Sequence, residues 1–271
     1  MGNSIQLCIC AFFIFSVVAC GQNQFTLPTS SMNSGNGGTP STGGSPNGNT
    51  GSGAGSTKCG ASAMSPGIDV SSYQVNTSWP DVQKTGTSFA FIKATEGVSY
   101  TNIDFSKDWQ QSKASGVVRS AYHFFVPTED ATQQANHFLK TMGTMAADDM
   151  PPMLDWETPP GNSAQTSIAR GKLWLQLVQN ATGRIPIIYT SAGIWNALGN
   201  PIGFETFPLF VVDIINKCPK LPPTWKNWTF WQFTVGTLKG VNGSVDMDVF
   251  NGTTSQLGNL SLDFVSELAS Y

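Results

Sequence analysis

The sequence predicts an α/β fold, a modified TIM-like β/α barrel with eight strands and reduced helices in its C-terminal part. From Gly67 onward, short apolar runs alternate with helical patterns, which is typical of a parallel sheet with helices packed against it. Several of these runs are continuously apolar, as strands buried on both faces are. Beyond Leu209 the runs follow one another closely, so the last units of the barrel have little room for helices.

Eight short apolar runs are the candidate strands. Helical patterns separate the early ones, and a further helix is expected to close the barrel. Thr128, Glu129 and Asp130 open the second helix, which places acids in its first turn, where the helix dipole favours them. The predicted strands span 67–70, 88–94, 117–125, 153–157, 185–190, 209–214, 228–233 and 245–250, and the predicted helices span 104–115, 128–142, 163–181 and 257–268.

The first segment of the chain predicts export. Residues 5–19 are mostly apolar, too short to span a bilayer with normal flanks, and typical of a secretory signal. Val17-Val18-Ala19-Cys20-Gly21 resembles a bacterial lipobox, in which the peptide is cut before the Cys and the Cys is lipidated. We therefore expect a lipoprotein-type signal over residues 1–19 and a lipid anchor on Cys20, which would hold the protein on a bacterial membrane at its periplasmic or cell-surface face. The alternative is an ordinary signal cut near Ala19, or a retained anchor.

Charge is distributed unevenly along the chain. It has 14 Lys and Arg against 17 Asp and Glu, for a formal net charge of −3, and residues 1–57 contain none of these four types. Residues 20–60 are mainly Gly, Ser, Thr, Asn and Pro, which predicts a flexible linker that cannot bury a core. Residues 61–271 remain as the folded domain. Without a positive excess it is not expected to bind nucleic acid through basic patches, and 17 Phe and 8 Trp exclude a charge-driven disordered chain.

Two cysteines remain in the folded part once the signal and the lipid anchor are set aside. They are Cys59 and Cys218, and an exported protein is in a compartment where disulfides persist. An even pair predicts a bridge from the start of the domain to a later loop, with two unpaired thiols as the alternative. The mature region has no Cys-x-x-Cys spacing and the chain has 2 His, so we expect no zinc site, no other metal and no cofactor.

The sharpest local feature is a pair of acids between two proline pairs. Pro151-Pro152 and Pro159-Pro160 bracket a short apolar segment that contains Asp155 and Glu157. Side chains alternate along a strand, so both carboxylates are expected on one face at the carboxyl end of a barrel strand, where barrels carry their chemistry. Two neighbouring carboxylates cannot ionise independently, and a protonated acid beside an ionised one is what glycosidic cleavage requires. The alternative is a solvated strand end.

Further polar and aromatic residues stand at other strand ends. Asp69 ends the first strand, and Asp246 and Asp248 share one face of the last. If the first and last strands are neighbours in a closed barrel, these acids converge near Asp155 and Glu157. An acidic cleft edged by aromatic rings and an amide suits a sugar, whose apolar faces stack on rings while its hydroxyls bond to polar groups. The candidate edge residues are Tyr122, Tyr189, Trp231 and Gln232.

Seven segments in this order resemble glycoside hydrolase family 25, the Chalaropsis-type lysozymes. The resemblance covers roughly 66–252, and the segments are specific together although none is specific alone. They are Gly67-Ile68-Asp69-Val70-Ser71 with Gln74, Phe91-Ile92-Lys93-Ala94-Thr95-Glu96-Gly97, Ala121-Tyr122-His123-Phe124, Leu154-Asp155-Trp156-Glu157, Ile188-Tyr189-Thr190, Trp231-Gln232 and Val245-Asp246.

The resemblance implies that residues 61–271 are a catalytic barrel that hydrolyses the β-1,4 bond between N-acetylmuramic acid and N-acetylglucosamine in peptidoglycan. It implies that Glu157 is the general acid/base and that Asp155 orients the substrate's N-acetyl group, which acts as an internal nucleophile. Asp69 and Asp246 would bind sugar and shape the field around Glu157. The residues implied to line the subsites are Tyr122, Tyr189, Trp231 and Gln232.

Two departures from the family pattern concern substrate preference and optimum pH. Family members often carry a Trp and a later Tyr in the strand that here spans 209–214, so a sugar platform is missing and Asp213 is expected to add a negative charge. The usual Asn of the last motif is Asp248 here.

Two other functions compete with a lipid-anchored muramidase. One is a non-catalytic peptidoglycan-binding protein, against which the presence of Asp155 and Glu157 argues. The other is a chitin-directed barrel glycosidase. Chitinases with the same internal-nucleophile chemistry carry a longer run of alternating acids, and Met153 stands here where that run would need another acid. For the muramidase the expected partners are peptidoglycan glycan strands and, through the lipid, a membrane, and the protein is expected to be a monomer.

Three residues that invite catalytic roles are interpreted as structural. His123 lies in an apolar strand with no Ser or Cys nucleophile motif near it, so we expect a hydrogen-bonded core histidine. Lys93 and Glu96 are expected to form a structural ion pair at a strand end.

Overall fold

Eight strands close into a mixed barrel in the computed structural model, which describes residues 58–61, 63–161, 163–257 and 260. The chain divides into two units, Met1–Gly51 and Ser52–Tyr271, and the described residues lie in the second. The predicted signal, lipid anchor and most of the linker lie outside them. The strands are β1 (Ser65–Val70), β2 (Phe89–Glu96), β3 (Tyr100–Thr101), β4 (Val118–Phe124), β5 (Met153–Asp155), β6 (Ile187–Thr190), β7 (Leu209–Val212), β8 (Phe230–Gly236) and β9 (Val245–Phe250).

Closure depends on β1, which pairs in parallel with β2 and antiparallel with β9. The order around the barrel is β1, β2, β4, β5, β6, β7, β8 and β9, and β9 runs antiparallel to both of its neighbours. All eight predicted strands are confirmed. The additional strand, β3, pairs with the end of β2 outside the ring. It was not predicted because two exposed residues carry no periodic signal.

Helices concentrate in the first half of the barrel. The three longest confirm the predicted segments within a few residues, and the short ones were not predicted because they span one or two turns. Residues 213–229 and 237–244, which join the last strands, contain no helix, which confirms the expected reduction. The predicted helix 257–268 lies almost wholly outside the described residues. The helices are α1 (Trp79–Lys84), α2 (Phe105–Ala114), α3 (Ala131–Met142), α4 (Ala164–Thr182), α5 (Ala192–Ala197) and α6 (Thr254–Leu257).

The acids expected in the first turn of α3 lie just before it. Asp130 is the N-cap, and its carboxylate accepts a hydrogen bond from the backbone N–H of Gln133 at 2.8 Å. Glu129 accepts instead from the backbone N–H of Val98 at 2.7 Å. The prediction was wrong because Asp130 is an N-cap residue: its side chain binds a backbone N–H of the first turn, while its own backbone is extended and precedes the helix.

Phenylalanine rings fill the lower barrel. Successive ring centroids in this phenylalanine layer lie 5.0 to 5.9 Å apart, in the tilted and edge-to-face arrangements that aromatic pairs prefer. Because these rings exclude water from the lower interior, the polar side chains gather at the carboxyl ends of the strands. The layer consists of Phe89, Phe91, Phe210, Phe230 and Phe250.

A second apolar layer joins the sheet to the helices. Trp156, Trp174 and Trp195 are fully buried in it. Gly171 of α4 lets the helix approach, since a Cβ there would lie 2.2 Å from the Trp156 ring. His123 stacks on Trp174, and its ring nitrogens bond to Thr95 and Gln134. Burial lowers the pKa of His123 to about 3, so it is a neutral core histidine, as expected.

Cys59 and Cys218 form a disulfide. It joins the turn before β1 to the loop after β7, and Nε1 of Trp228 donates to the Cys59 carbonyl oxygen at 3.0 Å. The described residues contain no helix long and apolar enough to cross a membrane.

Candidate active site

Inward-facing polar side chains meet at the end of the barrel where the parallel strands finish. Asp69 on β1 lies directly opposite Asp246 on β9, because β9 is antiparallel and begins at this end. Asp155 ends β5 opposite Tyr189 on β6. The convergence that the sequence predicts therefore occurs. Four carboxyl groups form what we call the four-carboxyl cluster: Asp69, Asp155, Glu157 and Asp246.

Glu157 does not belong to the strand in which the sequence placed it. β5 ends at Asp155, and the chain leaves the sheet before Pro159 and Pro160, which lack the N–H needed to extend a ladder. The two carboxyls are therefore not alternate residues of one strand. Asp155 is 7% exposed in the wall of the site, whereas Glu157 is exposed at its mouth.

The carboxyls of the cluster hold their protons unusually tightly. Burial raises the pKa of Asp155 well above its usual range, and the charge of Glu157 adds to the shift. Burial raises the pKa of Asp69 in the same way, with contributions from Asp246 and Glu157. Water reaches Glu157, yet the protein around its other sides still raises its pKa. Close carboxyls titrate as a group, so part of the cluster stays protonated where free carboxyls would be ionised.

Lys93 is the cation that acts on this cluster. Its Nζ lies 2.7 Å from Oε2 of Glu96 and 4.7 Å from the centroid of the Phe124 ring. The expected ion pair is present, but its role is not only structural. The charge of Lys93 opposes the rise in the pKa of Asp69, Asp155 and Glu157. The sequence contained a signal for this role: Lys93 follows Phe91 by two residues, and alternation along β2 places both side chains on the inner face of the barrel.

A hydrogen-bonded chain links Tyr189 on β6, through Gln232 on β8, to Asp246 on β9. The Tyr189 hydroxyl donates to Oε1 of Gln232, and the Gln232 side chain bonds to Asp246, which partly offsets the rise that burial causes in the Asp246 pKa. Burial, followed by the nearby acids, raises the pKa of Tyr122 and Tyr189. Both phenols therefore keep their protons. The predicted edge residues Tyr122, Tyr189 and Gln232 are 6 to 9% exposed.

Trp231 does not line the site together with Gln232. Neighbouring residues of a strand face opposite sides, and Trp231 packs in the outer layer beside Trp228, with ring centroids 5.9 Å apart. Its Nε1 donates to the Asp213 carbonyl oxygen at 2.9 Å. The prediction that Trp231 lines the subsites is wrong because it assigned two adjacent residues of one strand, Trp231 and Gln232, to the same face.

Asp213 is a loop residue rather than an additional charge in the cleft. β7 ends at Val212, and the Asp213 carboxylate accepts hydrogen bonds from the backbone N–H groups of Ile215, Asn216 and Lys220 at 3.2, 3.1 and 2.9 Å. Partial burial raises its pKa, but these bonds outweigh that effect and hold it below its usual range. The carboxylate organises the loop that ends near the disulfide.

Asp248 lies deeper than the cluster. It is 1% exposed and pairs in the sheet with Gly67 on one side and Gln232 on the other. The sequence placed it on the same face as Asp246, but its depth depends on the register of β9, which no local pattern encodes.

A neutral carboxylic acid beside an ionised carboxylate, at an open cleft, can donate a proton to a leaving oxygen while its neighbour stabilises positive charge. Within the residues that the structure describes, no group of three or more His, Cys, Asp or Glu is arranged to hold a metal ion. The chemistry that this geometry supports is acid/base catalysis by carboxyls.

Comparisons with known proteins point the same way. The family model described as glycosyl hydrolases family 25 matches residues 68–241. The uncharacterized protein YegX of Escherichia coli strain K12 is 38% identical over 198 residues, which are 70% of this chain and 71% of that protein. Lysozyme M1 of Streptomyces globisporus is 34% identical over 203 residues, 70% of this chain and 69% of that protein. The crystal structure of a bacterial lysozyme from Streptomyces coelicolor matches with a TM-score of 0.71 and 33% identity, covering 75% of this chain and 99% of that one.

Proposed function

The chain belongs to glycosyl hydrolase family 25, and from that membership we propose that it is a muramidase. Its substrate would be peptidoglycan, and the bond cleaved would be the β-1,4 bond between N-acetylmuramic acid and N-acetylglucosamine. One observation carries the proposal: the four-carboxyl cluster at the carboxyl ends of the strands exposes Glu157 at its mouth and keeps Asp155 in its wall.

In the proposed reaction Glu157 is the general acid and then the general base. Its proton goes to the glycosidic oxygen as the bond from that oxygen to C1 breaks, and the acetamido carbonyl oxygen of the same sugar forms a bond to C1. Water then attacks C1, displaces the acetamido oxygen and returns a proton to Glu157. A raised pKa suits this role because the acid must hold its proton until the leaving oxygen takes it.

Asp155 would orient the acetamido group. Its Oδ1 is buried and has no hydrogen-bond partner among the described residues. A buried acceptor without a donor is costly, and the N–H of an N-acetyl group is the donor that it lacks. As positive charge develops on that group, the ionised form of Asp155 is favoured, with the charge of Lys93 favouring it further.

The other groups would hold the sugar. Asp69 and Asp246 face each other across β1 and β9 and would accept hydrogen bonds from sugar hydroxyls. Tyr122, Tyr189 and Gln232 would line the cleft with donors and ring edges. Asp213 and Trp231 have no part in it.

The test uses the purified full chain with insoluble peptidoglycan and mass spectrometry of the released fragments. New reducing-end N-acetylmuramic acid, absent with Glu157→Gln, supports the proposal. Binding without new reducing ends would instead favour a non-catalytic wall-binding protein. Cleavage of chito-oligosaccharides with intact peptidoglycan would favour the chitin-directed alternative.

We also propose that Cys20 carries a lipid that anchors the protein to a bacterial membrane. The support is the segment Val17-Val18-Ala19-Cys20-Gly21 after an apolar stretch. In cells that express the full chain, the wild type should fractionate with membranes and Cys20→Ser should not. A membrane-bound Cys20→Ser variant would contradict the anchor.

A further inference from the structure

Asp248 is a carboxyl group below the four-carboxyl cluster that the proposed reaction does not use. It follows Asp246 by two residues on the same face of β9, and its sheet partners are Gly67 and Gln232. Since it is 1% exposed, neither bulk water nor a glycan strand can reach it from the mouth.

No donor in the described part of the chain satisfies this carboxyl. Both Oδ1 and Oδ2 are buried without a hydrogen-bond partner. Beneath it lies the phenylalanine layer: Phe250 follows on the same face, and the Phe89 ring covers Gly67 so closely that a Cβ there would lie 2.3 Å away. An ionised carboxylate with neither a counter-ion nor a donor is among the costliest groups to bury.

The titratable groups that face Asp248 are carboxyls as well. Asp69 approaches from β1 and Asp246 from its own strand, while β8 contributes the neutral amide of Gln232. The nearest strand beyond β1 is β2, where the ammonium of Lys93 is bound to Glu96. An ionised Asp248 would therefore place a negative charge beside two other carboxyls, with no cation of its own.

We propose that Asp248 is a positioning residue that works as a neutral carboxylic acid beneath Asp69 and Asp246, and that loss of its proton sets the upper pH limit at which those two carboxyls hold substrate. The part of this proposal that concerns substrate binding rests on the proposed function. Burial, followed by the charges of Asp69 and Asp246, raises the pKa of Asp248 well above its usual range, which agrees with the geometry.

The first measurement is urea unfolding of the full chain over a range of pH, comparing wild type with Asp248→Asn. Above about pH 4 an unfolded chain releases the Asp248 proton while the folded protein retains it. Rising pH therefore favours unfolding of the wild type, but the amide variant is spared this effect. The unfolding equilibrium constant of the wild type should rise relative to the variant by about tenfold per pH unit, until the folded protein also ionises.

Asp213→Asn is the matched control, because Asp213 is ionised and fully hydrogen-bonded in its loop. Its lowered pKa predicts the opposite sign: that variant should lose stability relative to wild type as pH rises through about 4. A stability difference for Asp248→Asn that does not change with pH, or that follows the Asp213→Asn sign, would overturn the proposal. So would failure of Asp248→Asn to fold, since a neutral amide would replace a neutral acid of the same shape.

The second measurement is sedimentation binding to insoluble peptidoglycan over a range of pH, made with Glu157→Gln as the parent so that ionisation of the general acid does not contribute to the profile. Binding by Glu157→Gln should weaken at alkaline pH, and the loss should lie at higher pH when Asp248→Asn is added. Identical alkaline limbs for the single and double variants would overturn the positioning role. If the wild type binds peptidoglycan but does not cleave it, the proposed function fails and the binding comparison still tests Asp248. The unfolding measurement decides the charge state of Asp248 in either case.

Discussion

The disulfide between Cys59 and Cys218 is expected to contribute a large part of the stability of the barrel. The two cysteines are 159 residues apart, and the loop that they close contains β1 through β7. A cross-link stabilises chiefly by lowering the entropy of the unfolded chain, and a loop of this length corresponds to about 5 kcal/mol at 25 °C. Because the free energy of unfolding of a whole domain is about 5–15 kcal/mol, loss of the disulfide would leave the folded protein only marginally stable.

The perturbation is the double substitution Cys59→Ser and Cys218→Ser, compared with the oxidised wild type by urea unfolding. Trp228→Phe is the control, because it removes the 3.0 Å hydrogen bond to the Cys59 carbonyl oxygen and keeps the cross-link. We expect a loss of about 3–5 kcal/mol for the double variant and about 1–3 kcal/mol for the control, which loses a hydrogen bond and part of a buried ring. A double variant that loses no more than the control would refute the reasoning, since the tether would then add nothing beyond a local contact.

Two further predictions concern the electrostatics of the site and its floor. Lys93→Met should raise the pKa of Glu157 and Asp155, because the charge of Lys93 opposes that rise. Since Asp155 acts ionised and Glu157 acts protonated, both limbs of the kcat/KM profile should move to higher pH. Limbs that stay where those of Lys93→Arg lie would contradict this role. Phe91→Ala should lower the free energy of unfolding by about 3–5 kcal/mol, since Phe91 is fully buried with its centroid 5.0 Å from that of Phe210 and 5.1 Å from that of Phe230. Urea unfolding measures the loss, and a value below about 1 kcal/mol would mean that the phenylalanine layer collapses around the gap.

The sequence was informative where a local pattern is also a structural rule. Short apolar runs identified all eight barrel strands, and several of these runs are continuous because a parallel strand covered on both faces has no polar side. The convergence of Asp69 and Asp155 could be predicted from the sequence, since both stand near the carboxyl ends of parallel strands and a barrel collects those ends at one rim. Asp246 stands near the start of β9 and reaches the same rim because β9 runs antiparallel to its neighbours, a direction that no local pattern encodes.

The errors arise where the outcome depends on contacts distant in sequence. Glu157 appeared to continue a strand, but the chain leaves the sheet at Asp155. Trp231 and Gln232 were assigned to one face, although strand alternation separates them. Asp213 appeared to be a free charge because the backbone N–H groups that bind it come from a loop whose path no periodicity encodes. The depth of Asp248 likewise depends on the register of β9 with β1 and β8.

The most direct test of the central claim is the rate at which Glu157→Gln releases reducing-end N-acetylmuramic acid from peptidoglycan. Glu205→Gln is the control, since Glu205 is an exposed glutamate whose Oε1 accepts from the Gly203 backbone N–H. We predict that Glu157→Gln lowers kcat by at least about 100-fold, the contribution of a lost general acid/base, while Glu205→Gln cleaves at the wild-type rate. A folded Glu157→Gln variant that releases the same product at the wild-type rate would contradict the account.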